Sequence, residues 1–180
     1  MKKLYLILPL ALILCVMVSC QDKAAMAELE DFRAQAAVEE QNKELVTRLI
    51  EEFNKGNAEI WKELCVPEFA YYQPSETDEP MSLEQTIATF QMLYQSFPDY
   101  SLNIHELIAQ GDKVVAWTNF TGTHEETYGG IPATGNKIRL SIIAIYQIKD
   151  GKCVETREEE DSLSFMMQLG MELKPKEGEK

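Results

Sequence analysis

Residues 97–124 read FPDYSLNIHELIAQGDKVVAWTNFTGTH, and this stretch decides the fold. Its two halves, 100–110 and 112–124, are rich in β-branched and aromatic residues, and the tight turn QGD joins them. Such a pattern predicts two consecutive strands. Residues 136–149 and 152–161 repeat it around the turn KDG, so four strands are predicted from residue 100 onward.

The part of the chain before this stretch has apolar residues at helical spacing. A helix is predicted over 42–55, a short one over 57–66 and a third over 82–96, with one short strand at 68–74. Ser82 and Gln85 form a capping box at the start of the third helix. Helices first and antiparallel strands after predict an α+β fold, in which a long helix crosses a curved sheet and leaves a pocket at the wide end of a cone.

Composition narrows the function classes. The chain has 180 residues, of which 45% are hydrophobic, so it suits one domain with a substantial core. Its net charge of −13 argues against nucleic-acid binding, which needs a basic surface. The two histidines, His105 and His124, belong to no cluster of His, Cys and carboxylate residues at metal-ligand spacing, so no metal is expected. No nucleotide-binding fingerprint occurs either.

The N-terminus predicts export. Lys2 and Lys3 precede an apolar run from Leu4 to Val18, which is short for a membrane span and typical of a signal peptide over residues 1–19. The sequence MVSC resembles a bacterial lipobox, which implies that Cys20 carries lipid and holds the protein at the periplasmic or outer surface of a membrane. The alternative is an ordinary cleaved signal peptide with an unrelated cysteine.

The remaining segments outside the domain are predicted from composition. Residues 20–41 lack Gly and Pro and are rich in Ala, Glu and Gln, which favours a helical spacer after the lipidated cysteine. Residues 171–180 form a polar tail that is predicted to be disordered. Inside the domain, Cys65 and Cys153 stand among apolar neighbours and are either two buried thiols or the partners of a disulfide bridge.

Several motifs in residues 42–170 resemble the SnoaL-like polyketide cyclase, or ester cyclase, family of the NTF2-like superfamily. The segments that carry the resemblance are FPD, GDKV, GTH followed by GGIPATGNKI, and an aspartate before SLSFMMQLG. The resemblance implies an NTF2-like cone and a cofactor-independent enzyme, in which Asp161 removes a proton from carbon next to a carbonyl so that a ring can close. Two positions depart from the family pattern: Arg157 replaces a tryptophan and Tyr72 replaces a histidine.

The acidic run near the C-terminus bears on this site. In a regular strand side chains alternate between faces, so Arg157, Glu159 and Asp161 share one face while Glu158 and Glu160 share the other. With Asp161 in the pocket, as the resemblance implies, Arg157 and Glu159 line it and Glu158 and Glu160 face away. Such a group either binds a polar ligand or forms an internal ladder of ion pairs.

Other residues are candidates for the same pocket. His124 ends a strand at the glycine-rich loop, where it is either a pocket acid or a residue that caps the loop. Five aromatic residues either line the pocket or pack in the core: Tyr71, Tyr72, Trp117, Phe120 and Tyr128.

Three functions remain open from the sequence. The first is a cyclase or isomerase that acts on a small polyketide-like or other small molecule, with Asp161 as base and His124 or Tyr72 assisting. The alternative is a membrane-tethered module that binds a small molecule without converting it. A third is an interaction module that forms a homodimer through the open face of the sheet.

Overall fold

The computed structural model describes residues 4–174, with side chains from residue 23 onward. It contains two compact units, one up to Val38 and one from Glu39 onward. The side chains of the predicted signal peptide and of Cys20 therefore lie outside the described residues, as does the end of the predicted tail from 175 to 180. Within the described part of the chain, none of the helices has the length and apolar character that crossing a membrane requires.

The first unit is helical. Helix α1, Leu4–Asn54, runs through this unit and into the second. Every side chain from 23 to 38 is exposed, which suits the Ala-, Glu- and Gln-rich composition of this part.

The second unit is an α+β domain, which confirms the predicted fold class. After α1 come, in order, α2 (Ile60–Leu64), β1 (Cys65–Tyr72), β2 (Met81–Ser82), α3 (Leu83–Ser96), β3 (Ser101–Gln110), β4 (Lys113–Thr123), β5 (Lys137–Lys149), β6 (Lys152–Glu160) and α4 (Ser162–Gln168). The strands form one six-stranded sheet in the order β2-β1-β6-β5-β4-β3. All neighbouring strands are antiparallel except β1 and β6, which run parallel.

The core lies between the helices and one face of the sheet. On α1, Val46, Leu49, Ile50 and Phe53 repeat at helical spacing and are buried. They pack with residues of α2, α3 and the inward side of β5, where every second residue from Ile138 to Ile148 is buried. At the start of α3, Ser82 and Gln85 form the predicted capping box.

A β-bulge interrupts β6 and changes which side chains face inward. Ile148 of β5 pairs with Cys153, but the next residue of β5, Gln147, pairs with Glu155, so Val154 is an extra residue. Cys153 and Thr156 are both buried, although a regular strand would place them on opposite faces. After the bulge, the even-numbered residues of β6 face the core.

The two cysteines of the domain lie opposite each other on β1 and β6. Cys65 pairs with Cys153 in the parallel ladder, and both thiols are buried and free. The hydrogen bond to Cys153 raises the pKa of the Cys65 thiol, and burial raises it further. They are therefore buried thiols, the first of the two interpretations.

The outer face of the sheet exposes several large apolar side chains. Ile108, Trp117, Ile143 and Ile145 each expose at least 40% of their surface. Trp117 pairs with Ile143 across β4 and β5, so these residues are neighbours. The predicted homodimer would use this face, and its formation stays a prediction.

Candidate functional site

A pocket lies between the helices and the inner face of the sheet. Water-molecule centres can occupy about 90 Å³ of it, which is room for several waters or for a small organic molecule, since one water needs on the order of 10–15 Å³ by this measure. Its apolar wall consists of Leu49, Ile50, Phe53, Phe90, Leu93, Leu102, Phe120, Leu140, Ile142 and Phe165. The other residues that line it are Trp61, Tyr71, Gln73, Thr89, Tyr128, Tyr146, Glu158 and Glu160.

Glu158 is the polar centre of this pocket. It stands opposite Ala144 on β5, a buried position, and so points to the inner face. The hydroxyl of Tyr71 donates a hydrogen bond of 2.6 Å to Oε2, and Nε2 of Gln73 donates one of 3.1 Å to Oε1. Both partners come from the end of β1 and the residue that follows it, because β1 lies beside β6 in the sheet.

The pKa of Glu158 is shifted toward neutrality. Burial in the apolar surroundings raises it from 4.5 to about 7, and the nearby charges of Glu160 and Glu159 raise it as well, while the hydrogen bond from Tyr71 lowers it. Near neutral pH the carboxyl group is therefore present in both forms, and it can accept or release a proton.

Three other ionisable side chains line the pocket: Glu160, Tyr128 and Tyr146. Burial raises the pKa of Glu160 above its usual value. It also raises the pKa of Tyr128 and of Tyr146, and the negative charges of Glu158 and Glu160 add to the effect on Tyr128. Both phenols therefore stay protonated at neutral pH and are potential hydrogen-bond donors to a ligand.

Arg157 and Glu159 lie on the outer face, contrary to the prediction that they line the pocket. The guanidinium of Arg157 stacks over the ring of Tyr72 at 3.9 Å and pairs with Glu155 at 2.6 Å. It also donates to the carbonyl of Ser75 at 2.6 Å, while Glu159 accepts from the backbone N–H and the hydroxyl of Ser75. Tyr72, a cross-strand neighbour of Arg157, is outside the pocket as well.

The position of Asp161 is the source of this difference, because Arg157 and Glu159 were assigned to the pocket together with it. The bulge at Val154 also changes which residues share a face with the buried Cys153. Strict alternation from the buried Cys153 places Glu155 and Arg157 inward, but the extra residue moves Thr156, Glu158 and Glu160 to that face instead. The acidic run did indicate the site, and alternation separated its two faces as observed, but the expected position of Asp161 assigned the wrong face to the pocket. One sequence signal favours the observed faces: Thr156 is less polar than Arg157, so the face that carries Thr156, Glu158 and Glu160 is the one that suits burial better.

Asp161 lies at the junction of β6 and α4 and does not line the pocket. It is exposed and caps α4, since its Oδ1 accepts the backbone N–H of Ser164 at 2.9 Å. A carboxylate at this position satisfies an amide that the helix leaves unpaired. Its catalytic role stays a prediction that this geometry does not favour.

His124 is fully buried outside the pocket and supports the glycine-rich loop. Its ring stacks on Phe97 with centroids 5.3 Å apart, and Nδ1 lies 3.1 Å from Oγ1 of Thr134. Its backbone carbonyl accepts from Gly135, and its N–H donates to Asn136. The geometry agrees with the loop-capping interpretation; a catalytic role for His124 is untested.

The two remaining predicted residues have different positions. Trp117 is on the outer face, where its indole donates to Oγ of Ser141 at 3.1 Å and its ring lies against His105. Tyr128 lines the pocket and packs edge-on against Phe165 of α4, with centroids 5.5 Å apart. Tyr71, Phe120 and Tyr128 are thus the candidate aromatic residues that the structure places in the pocket, whereas Trp61 and Glu158 were not predicted to line it.

The described residues contain no group of three or more His, Cys, Asp or Glu side chains that could hold a metal ion. The chemistry that this part of the chain offers is proton transfer by a carboxyl group of near-neutral pKa, surrounded by hydrocarbon and aromatic side chains.

Comparisons with known proteins show which family this domain resembles. The profile of the family described as SnoaL-like polyketide cyclase matches residues 43–169. A search of curated proteins finds no match. Similar solved structures include a protein described as a SnoaL-like polyketide cyclase from a Jannaschia species, with 25% identity, a TM-score of 0.68, and coverage of 75% of this chain and 95% of that one.

Two Streptomyces proteins are similar over the same part of the chain. IdmH from Streptomyces antibioticus, described as a polyketide cyclase, has 25% identity and a TM-score of 0.63, with 73% of this chain and 99% of that one covered. TsrD from Streptomyces laurentii has 28% identity and a TM-score of 0.64, with coverage of 72% and 95%. The shared region is thus nearly the whole of each of these proteins.

Proposed function

The chain belongs to the family of SnoaL-like polyketide cyclases, and we propose that it is a cofactor-independent enzyme that removes a proton from carbon next to a carbonyl. The proposed base is Glu158, and the substrate is a small, mainly apolar molecule. Export and attachment through a lipid on Cys20 belong to the same proposal, and they would hold the enzyme at a membrane surface.

The observation that carries this proposal is the placement of Glu158. Its carboxyl group lines an apolar pocket, Tyr71 and Gln73 hold both of its oxygens, and its pKa is about 7. A general base works best when its pKa lies near the working pH, because enough of it is ionised while it still binds a proton well.

The proposed reaction is balanced within the pocket. Glu158 takes the proton from the carbon, and the electron pair of the broken C–H bond moves onto the carbonyl oxygen to give an enolate. The enolate carbon then either attacks a second carbonyl carbon or takes the proton back from Glu158 at another position, which isomerises the substrate. In the first case a ring closes, the electron pair of the second C=O bond moves to its oxygen, and that oxygen takes the proton from Glu158. The protonated phenols of Tyr128 and Tyr146 line the same pocket and are available to donate hydrogen bonds to the negative oxygen.

Deuterium exchange tests the proton abstraction without knowledge of the natural substrate. Indanone, a small bicyclic ketone, is incubated with the protein in heavy water, and mass spectrometry follows deuterium at the carbon next to its carbonyl. The wild type should accelerate the exchange, and Glu158→Gln should reduce the acceleration by about 100-fold or more, since a general base contributes roughly 10²–10⁴ in rate.

Glu159→Gln is the matched control, because it makes the same change one residue away on the outer face. It should leave the exchange rate unchanged. Equal rates for wild type and Glu158→Gln, or a loss in Glu159→Gln instead, would rule out Glu158 as the base.

A binding module without turnover is the second candidate. It is favoured by one observation: both oxygens of Glu158 already accept hydrogen bonds, which stabilise the ionised form and weaken it as a base. Indanone that binds to the pocket, with no exchange above the background rate in heavy water, is the result expected for this alternative.

A further inference from the structure

Trp61 presents a hydrogen-bond donor that has no partner. The side chain belongs to α2, lines the pocket and is only 3% exposed. Its Nε1 is buried and has no hydrogen-bond acceptor among the described residues. Indole N–H groups usually find a partner when they are buried, because an unpaired donor away from water destabilises the folded state.

Aromatic side chains hold the indole in place. The ring of Trp61 packs edge-on against Phe90, Phe69 and Tyr71, with centroids 5.1, 5.4 and 6.3 Å apart. Tyr71 is also the residue whose hydroxyl binds Glu158. Trp61 and the proposed base therefore contact the same residue, Tyr71, and both line the pocket.

The position of Trp61 distinguishes it from the other unpaired buried groups. In the described part of the chain these are the hydroxyl of Tyr94 and Nε2 of His124, and neither residue lines the pocket. An indole nitrogen can only donate, so it selects ligands that present an acceptor atom.

We propose that the N–H of Trp61 binds the carbonyl oxygen of the substrate, which makes the substrate an uncharged apolar carbonyl compound. This inference rests on the proposed function, since it places the reacting carbon beside Glu158. Among the described residues that line the pocket, two are carboxylic acids and none is lysine or arginine. An anionic substrate would therefore meet like charge without a compensating cation.

The hydrogen bond also contributes to the chemistry. While Glu158 takes the proton from carbon, the electron pair of the C–H bond moves to the carbonyl oxygen, and the oxygen becomes a stronger acceptor. The proton of the indole stays on nitrogen throughout. A donor that binds the enolate oxygen more strongly than the ketone oxygen lowers the barrier.

A matched pair of ligands tests this role. Indanone and indane have nearly the same shape, but indane lacks the carbonyl oxygen. Titrations of the full chain, followed by NMR, give the dissociation constant of each. The wild type should bind indanone more tightly than indane. In Trp61→Phe the ratio of the two affinities should fall by about tenfold, as expected when one buried hydrogen bond is removed.

The ratio of the two affinities separates the hydrogen bond from packing. Trp61→Phe also changes the shape of the pocket, but that change affects both ligands. Trp117→Phe is the matched control, because it removes the indole on the outer face and should leave the ratio as in the wild type. A ratio that stays unchanged in Trp61→Phe would overturn the proposal.

A second measurement tests the same hydrogen bond without Trp61→Phe, in case that variant does not fold or does not bind indane. The chain has two tryptophans, so Trp117→Phe leaves a single indole N–H resonance, that of Trp61. Indanone should move this resonance downfield, as a new hydrogen bond does, and indane should not. Equal shifts with the two ligands would refute the hydrogen bond.

The experiment also distinguishes the two proposals. Glu158→Gln should keep the preference for indanone even though it stops exchange. If wild type and Glu158→Gln exchange deuterium at the same rate while Trp61→Phe loses the preference, Glu158 is not the base but the role of Trp61 as carbonyl donor stands. If instead Glu158→Gln loses the exchange while Trp61→Phe keeps the preference for indanone, Glu158 stands as the base and Trp61 is not the carbonyl donor.

Discussion

Glu158 and Glu159 are adjacent residues of the same type, yet they lie on opposite faces of β6 in contrasting environments. Glu158 lines the pocket, and burial raises its pKa to about 7. Glu159 is exposed on the outer face and binds the turn at Ser75. The comparison shows that the surroundings, rather than the residue type, give a carboxyl group its chemical character.

Side chains on the outer face of β6 are stabilised by ionic contacts, and those on the inner face by burial. Outside, Arg157 contacts Glu155 and Tyr72, and its side chain is 39% exposed. Inside, Thr156 is fully buried, and Glu158 accepts from Tyr71. Solvent screens ion pairs on the outer face, so changes there should have small effects, whereas changes on the inner face should have large ones.

The largest expected effect is on the pH dependence of stability. Between pH 4.5 and about 7 the folded protein keeps a proton on Glu158 that the unfolded chain releases, so the free energy of unfolding falls as pH rises through this window. The total loss is about 3 kcal/mol, since each pKa unit corresponds to roughly 1.4 kcal/mol. Glu158→Gln should lack this part of the pH dependence, as measured by urea unfolding at pH 4.5 and pH 8.

Glu159→Gln again serves as the control and should show the pH dependence of the wild type. If Glu158→Gln and the wild type lose the same free energy between the two pH values, the contrast between the two glutamates does not exist.

The next effect concerns the end of β6, where the chain leaves the sheet. Asp161→Ala removes the cap of α4 and should lower the free energy of unfolding by about 1 kcal/mol. Asp161→Asn should keep most of that stability, because asparagine caps helices nearly as well. Urea unfolding measures both variants.

Deuterium exchange on indanone measures whether Asp161→Asn keeps its activity. Asp161→Asn should retain the exchange activity, because Asp161 lies outside the pocket. A variant that is stable but has lost exchange would restore Asp161 as the base and contradict the placement of the active carboxyl on the inner face.

The smallest effect is expected for the outer face. Arg157→Ala removes the stacking on Tyr72 and the ion pair with Glu155 and should change the free energy of unfolding by less than about 1 kcal/mol, because exposed ion pairs contribute little. The affinity for indanone should not change. A loss of binding in this variant would show that the two faces of β6 are coupled, and it would support a ligand site that includes Arg157.

Much of the fold could be predicted from local patterns. The capping box of Ser82 and Gln85, the glycine after α1 and the turns QGD and KDG mark ends of elements, because backbone geometry there depends on a few adjacent residues. The apolar spacing on α1 likewise indicates which side of this helix is buried.

The candidate site was predictable only in part. The acidic run and Tyr128 indicated the region, but the expected position of Asp161 in the pocket led to the wrong face of β6. The bulge at Val154 also prevents the buried Cys153 from serving as a guide to the inner face. A bulge arises where two strands differ by one residue in the number that fits between their fixed ends. The amino-acid pattern of one strand does not contain that mismatch.

The sequence by itself determined the α+β class, the order of helices and strands, and the presence of carboxylates near the end of the last strand, because these follow from local spacing and composition. Only the tertiary structure decided that Glu158 lies in the pocket and Asp161 caps a helix. It also brought Trp61 and Tyr71, from the first half of the domain, to the same pocket as Glu158. The reason is physical: burial and register depend on neighbouring strands and helices that are far away along the chain.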